Sequence, residues 1–242
     1  ANAPLRLYPT PHIYVPNIFP PDFYAMLVKC FPNPQRFKQM QNSYHGNYEI
    51  SENRYYLSYF DEDHKNLPDD YSTFWSALFE QMSSKLFAQA GLKKFAKYLD
   101  VPRYSLLGSH HDILMISDRT GYDIGPHTDS AQKLFAMLFY CPETADNPHL
   151  GTSLFRPKGA VPRTVERTDS WFRVGGDPAL PFENFDKVFT APYVPNALFG
   201  FVRTHHSFHG VEPTSTNVPR QLLIYEHFSQ RASRRLRGKR QS

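Results

Sequence analysis

The chain has 242 residues, 40% hydrophobic, 15% aromatic and 21% charged, which supplies material for a sizeable core and excludes an intrinsically disordered chain. Twenty-one prolines against twelve glycines work against long helices, so a coiled coil or helical bundle is excluded as well. The formal net charge is +4, but Arg231, Arg234, Arg235, Arg237, Lys239 and Arg240 carry six positive charges with no acid among them; the rest of the chain is left at −2, so the basic balance gives no basic groove over the fold.

Residues 1–21 are punctuated by proline, lack a basic start followed by an apolar run and do not read as a secretory leader; the absent initiator Met suggests a processed end. Pro20-Pro21-Asp22 followed by Phe23, Tyr24, Met26, Leu27 and Cys30 predicts a short helix ending before Pro32. Residues 33–68 are polar and rich in Tyr and Asn, which predicts short strands and loops. The clearest helix runs from about Tyr71 to Ala90. Asp69, Asp70 and Ser72 offer caps, Phe74, Trp75, Leu78, Phe79, Met82, Leu86 and Phe87 recur at helical spacing, and Gly91 supplies the stop. That stripe is a packing face.

From Tyr104 onward the texture changes to strand-length apolar runs at Asp112–Ser117, Leu134–Cys141, Thr152–Phe155, Ala197–Val202 and Gln221–Phe228, with long loops between them, notably 142–150 and 156–195. Helices first and strands after predict a mainly β, α+β domain over 1–230: helical support over about 20–95 and a jelly roll over about 104–229. Residues 231–242 read as a basic disordered tail, the one part suited to an anionic partner such as nucleic acid. No uninterrupted apolar run reaches the length of a membrane span. Cys30 and Cys141 have no paired metal-binding spacing and point to a reducing compartment, the cytoplasm, with Cys141 a buried apolar residue at a strand end.

There is no Gly-rich phosphate loop, no G-x-S-x-G elbow and no H-E-x-x-H helix. Eleven histidines remain. A facial non-haem iron site needs two imidazoles and one carboxylate on one side of the metal, and a strand delivers two of them as His-x-Asp because side chains two apart share a face. Chance alone gives roughly one such tripeptide in a chain of this composition, so the motif is weak by itself. Two occur, His110-His111-Asp112 and His127-Thr128-Asp129. The second follows the turn Tyr122-Asp123-Ile124-Gly125-Pro126 and precedes a strand, which suits a barrel rim. A third ligand must come from a distant strand, and the candidates cluster in Arg203–Val211, which holds His205, His206 and His209. If Thr214–Asn217 turns a hairpin, His209 falls opposite Arg220, about 5 Å apart at Cβ. An arginine there could grip a dicarboxylate whose other end chelates the metal.

With these pieces in order, the chain resembles the iron(II)/2-oxoglutarate-dependent dioxygenases, and within them the prolyl-4-hydroxylase-like branch. The resemblance covers about residues 105–229: Tyr122 with Gly125-Pro126-His127-Thr128-Asp129, the strand Leu134 to Tyr140, Leu150 to Phe155, Pro195 to Phe201, His209-Gly210-Val211-Glu212-Pro213, and Arg220 leading into Leu222 to Phe228. It implies a double-stranded β-helix, a cupin-like jelly roll, flanked by N-terminal helices. It further implies His127, Asp129 and His209 as iron(II) ligands, Arg220 as partner of the distal 2-oxoglutarate carboxylate with Tyr140 beside it, and Tyr122 near substrate. The implied reaction consumes dioxygen and 2-oxoglutarate, with ascorbate as a possible reductant, releases succinate and carbon dioxide, and hydroxylates an unactivated C–H of an amino acid, a peptide side chain or a small molecule. Leu150-Gly151 replaces the usual Gly-Gly pair and Leu222 a usual hydroxyl, which puts the secondary 2-oxoglutarate contacts in question. Retention of Asp129 disfavours chlorination. Two other classes stay open: a metal-free jelly-roll binding module, and a cupin-like metal-dependent isomerase or lyase that has no use for Arg220.

Overall fold

In a computed structural model the described residues are 3–40, 53–99, 108–160, 179–215 and 217–229. The basic tail, Tyr104, and Trp171, Phe172 and Arg173 of the long loop lie outside them.

The elements in chain order are β1 (His12–Val15), α1 (Pro21–Lys29), β2 (Lys38–Gln39), β3 (Arg54–Ser58), α2 (Asp69–Met82), α3 (Lys85–Phe95), β4 (His110–Asp118), β5 (Ile124–His127), β6 (Lys133–Tyr140), β7 (Ser153–Pro157), β8 (Phe185–Thr190), β9 (Ala197–Val202), β10 (His209–Val211) and β11 (Arg220–Phe228). They form two antiparallel sheets, one ordered β1-β9-β6-β11-β4-β3-β2 and one ordered β5-β10-β7-β8. From β4 to β11 each strand crosses to the opposite sheet except between β7 and β8, which is the jelly-roll path expected from the sequence.

The side-chain alternation explains the layering. On β4, β6 and β11, Ile113, Met115, Phe135, Met137, Phe139, Leu223 and Tyr225 face the helices, joining Leu27, Trp75, Leu78, Phe79, Met82 and Phe95 in one core. Their neighbours Leu114, Ile116, Ala136, Leu138, Tyr140, Leu222 and Ile224 face the other sheet and meet Leu154, Phe199 and Phe201. A strand buried on both faces loses its polar alternation and reads as a continuous apolar run, so these strands were the visible ones.

Three expectations change. The single helix from Tyr71 to Ala90 is two helices, broken at Ser83-Ser84, where the Ser84 hydroxyl accepts from the Phe87 N–H at 3.2 Å and caps the second. Leu86, at the start of that second helix, is 78% exposed and leaves the stripe. Gly91 lies inside α3 and does not stop it: a Cβ there would sit 2.5 Å from the Phe135 ring, so glycine lets the helix approach the sheet. The long loop 156–195 contains strand β8, and its Phe182 and Phe185 pack with Phe155 and Phe208 in a small separate cluster.

The hairpin joining His209 to Arg220 is absent. β10 pairs with β5 and β7 in the smaller sheet, whereas β11 lies between β4 and β6 in the larger one. The connection carries Pro213 and Pro219, neither of which can donate to a ladder, and it crosses between sheets. Cys141 is buried as expected, and burial pushes its thiol up to about 12. No helix among the described residues is long and apolar enough to cross a membrane.

Gly91→Ala tests the helix–sheet approach. Overpacking against Phe135 should outweigh the better helix propensity of Ala and cost about 1–3 kcal/mol in chemical denaturation, whereas a more stable variant would show that the approach is not tight.

Candidate metal centre

His127 ends β5 and His209 opens β10, and the register sets these two residues directly opposite each other. Their rings stand 4.3 Å apart, centroid to centroid. Asp129, two residues past His127, turns back toward them, with its Oδ2 3.7 Å from His209 Nε2. One ligand atom from each of His127, Asp129 and His209 lies within 4.8 Å of the others. The two histidines come from adjacent strands of the smaller sheet, and Asp129 from the segment that follows β5.

Each imidazole is fixed at its inner nitrogen. His127 Nδ1 lies 2.9 Å from the Gly125 carbonyl and His209 Nδ1 lies 3.0 Å from the Ser207 carbonyl. A carbonyl can only accept, so both Nδ1 atoms donate and both Nε2 atoms carry the lone pair that a metal takes. Phe201, with its ring centroid 4.4 Å from that of His209, holds that ring from the side.

The carboxylate is oriented by a buried lysine. Lys133 Nζ donates to Asp129 Oδ1 at 2.6 Å and to Glu226 Oε1 at 2.5 Å, all three side chains being largely shielded from water. Asp129 Oδ2 is buried and has no hydrogen-bond partner among the described residues. A buried unpaired carboxylate oxygen is costly, and with two neutral imidazoles beside it the donor set is that of a divalent transition metal such as iron(II). Burial would raise the Asp129 pKa, but the neighbouring Lys133 ammonium more than reverses it and keeps the carboxylate ionised. Burial, reinforced by His209, pushes His127 down to about 3, and burial also lowers His209. All three groups are therefore in their ligating forms at neutral pH.

Arg220 occupies a second, separate cluster. Its side chain is fully buried, with Nε donating to the Leu150 carbonyl at 2.6 Å, Nη1 to Asp118 Oδ2 at 2.7 Å and Nη2 to Thr152 Oγ1 at 3.0 Å. Tyr140 joins this group through Thr152, whose N–H donates to the Tyr140 hydroxyl at 3.0 Å. Gly151 is needed here because any Cβ would run into the Ala191 carbonyl, and this close approach lets Leu150 present its carbonyl to the guanidinium. Leu222 lines the interior core beside it. Tyr122 is 1% exposed, with the Arg54 guanidinium 4.3 Å over its ring, and its hydroxyl has no hydrogen-bond partner among the described residues.

The other histidine motif does not join the centre. His110 stacks on Phe228, His111 stacks on Tyr225, and Asp112 lies across from Glu226 on β11. His205 and His206 sit in the turn closed by Ser207 and Thr204. Lys133 carries one local signal, its position four residues after Asp129; Glu226, Asp118 and Arg54 have none, because their roles depend on cross-strand register.

No protein-family model matches the chain, and no curated protein matches it. Solved structures do. A prolyl-4-hydroxylase from Pseudomonas putida is 11% identical, with 90% of this chain and 91% of that chain covered, at a TM-score of 0.46. A prolyl hydroxylase from Trichoplax adhaerens, in complex with a hypoxia inducible factor oxygen degradation domain peptide fragment, is 13% identical over 91% and 86% of the two chains, at 0.47. A 2OG-Fe(II) oxygenase family oxidoreductase from Burkholderia pseudomallei is 11% identical over 90% and 84%, at 0.48.

Because the imidazoles are already neutral, metal affinity should depend little on pH. An unperturbed histidine near pKa 6.5 begins to lose a metal to protons as pH falls below that value. Calorimetric titration with Mn(II) should give affinities within about threefold between pH 7.5 and 6.0. A tenfold or greater loss would contradict the burial of the pair.

Proposed function

We propose that this chain is an iron(II)- and 2-oxoglutarate-dependent dioxygenase that hydroxylates an unactivated C–H. The observation that carries the reading is the convergence of His127, His209 and the unpartnered Asp129 Oδ2 in one buried cluster, with each imidazole held at Nδ1 by a backbone carbonyl. His127, Asp129 and His209 would hold the metal, and Arg220, near Tyr140, would receive the far carboxylate of 2-oxoglutarate. Bound together, the ferrous ion and 2-oxoglutarate would supply the oxidative decarboxylation that drives oxygen insertion, with dioxygen as co-substrate and ascorbate as a reductant that keeps the metal ferrous.

The residues of the chain supply position and dryness. The Gly125 and Ser207 carbonyls hold the imidazoles in the ligating tautomer, and Lys133 restrains Asp129 Oδ1 so that Oδ2 faces the histidines. Leu138, Leu154, Phe199, Phe201, Leu222 and Ile224 make the interior between the sheets apolar, which strengthens every electrostatic contact formed there. Small molecules, free amino acids and peptide side chains are the substrate classes compatible with this reading. Arg220 favours it over a cupin-like isomerase, which would have no need of a buried guanidinium.

Succinate release from 2-oxoglutarate, measured over a panel of amino acids and peptides with iron(II) present, tests the reading. Stimulated release by at least one substrate, with Arg220→Ala raising the KM for 2-oxoglutarate about tenfold or more, is the expected result. No consumption of 2-oxoglutarate under any condition, or indifference to Arg220→Ala, would favour a binding module or an isomerase.

A further inference from the structure

Arg220 presents a problem of charge. A guanidinium meant to attract a carboxylate is already paired with Asp118 at 2.7 Å, both side chains being fully shielded from solvent. Two groups of opposite sign sum to zero, and a neutral pair offers a dicarboxylate little long-range attraction. A third group in the same row changes the sum. Arg54 on β3 is in register with Asp118 on β4, which is in register with Arg220 on β11. Arg54 Nε donates to Asp118 Oδ1 at 2.7 Å and Nη2 donates to Oδ2 at 2.9 Å. One carboxylate thus lies between two guanidiniums, and the row carries a net +1.

The row also has unused donors. Among the described residues three of the five N–H donors of Arg220 are engaged, by Leu150, Asp118 and Thr152, which leaves two that a ligand could take. Tyr122 lies under Arg54, buried, with an unpartnered hydroxyl. Arg54 keeps 17% of its side chain exposed whereas Arg220 and the Tyr122 hydroxyl are buried, and Tyr122 lies within electrostatic reach of both guanidiniums. A buried charge or hydroxyl without a partner is costly, and a carboxylate bound at this row would offset that cost.

We propose that Arg54, acting through Asp118, keeps the Arg220 cradle at net +1 and thereby sets its affinity for the distal carboxylate of the co-substrate, with the Tyr122 hydroxyl completing the cradle. Arg54 is a positioning residue, and it lies outside the half of the chain that carries the family resemblance. The inference rests on the function proposed above.

The test is anaerobic calorimetry on the Mn(II)-loaded protein with two ligands, 2-oxoglutarate and 2-oxobutyrate. They share the chelating head, and only the first has a distal carboxylate. Arg54→Gln should weaken 2-oxoglutarate about tenfold or more while leaving 2-oxobutyrate within about twofold. Adding Asp118→Asn in the same chain returns the row to +1 and should recover most of the loss. Equal weakening of both ligands, no weakening, or no recovery in the double variant would overturn the inference. If Arg54→Gln does not fold, Asp118→Asn alone raises the row to +2 and must tighten 2-oxoglutarate selectively; unchanged or weaker binding overturns the inference equally. A native chain that binds no 2-oxoglutarate overturns the functional reading itself, a result distinct from native binding that is indifferent to these substitutions.

Discussion

The antiparallel pairing of β5 with β10 puts His127 opposite His209, and the candidate centre depends on it. Neither strand is strong on its own: β5 has four residues and β10 three, and both carry glycine. They are held because β10 also pairs with β7, and because the larger sheet closes over them with an apolar interior. A one-residue slip of β5 against β10 would carry His127 to the opposite face and scatter the ligands. The function proposed here is therefore a property of register more than of any single contact.

The interior charges fall into two groups with different tasks. At the metal end Lys133 lies between Asp129 and Glu226, so this cluster is negative and suited to a divalent cation. At the other, Asp118 lies between Arg54 and Arg220, so that cluster is positive and suited to an anion. Each leaves one atom unsatisfied: Asp129 Oδ2 in the first, the Tyr122 hydroxyl near the second. A chelating dicarboxylate has one end for each cluster, which is why the proposed co-substrate accounts for both.

The sequence was most legible where burial was most complete. β4, β6, β9 and β11 stood out as apolar runs because both faces of the larger sheet are covered. The short strands β1, β5, β8 and β10 do not, since histidine, proline or glycine sits in β1, β5 and β10, Asp186 and Lys187 interrupt β8, and partner strands supply their stability. The order and spacing of His127, Asp129 and His209 were readable, and the structure brings those three together. The relation of His209 to Arg220 is not legible, because the chain crosses between sheets where local sequence suggests a hairpin. The break at Ser83-Ser84 is hidden by a stripe that continues in phase through Phe87, and the role of Gly91 is not local because its reason is the Phe135 ring in another element. Partners such as Lys133 with Glu226, or Arg54 with Asp118, depend on long-range pairing that local sequence does not encode.

Anaerobic addition of iron(II) and then 2-oxoglutarate, followed by visible absorption, tests the central claim most directly. The account predicts a weak metal-to-ligand charge-transfer band that saturates at one equivalent of iron per chain and is lost in both His127→Ala and His209→Ala. A band that survives either substitution, or a native chain that binds iron and 2-oxoglutarate without one, would contradict it.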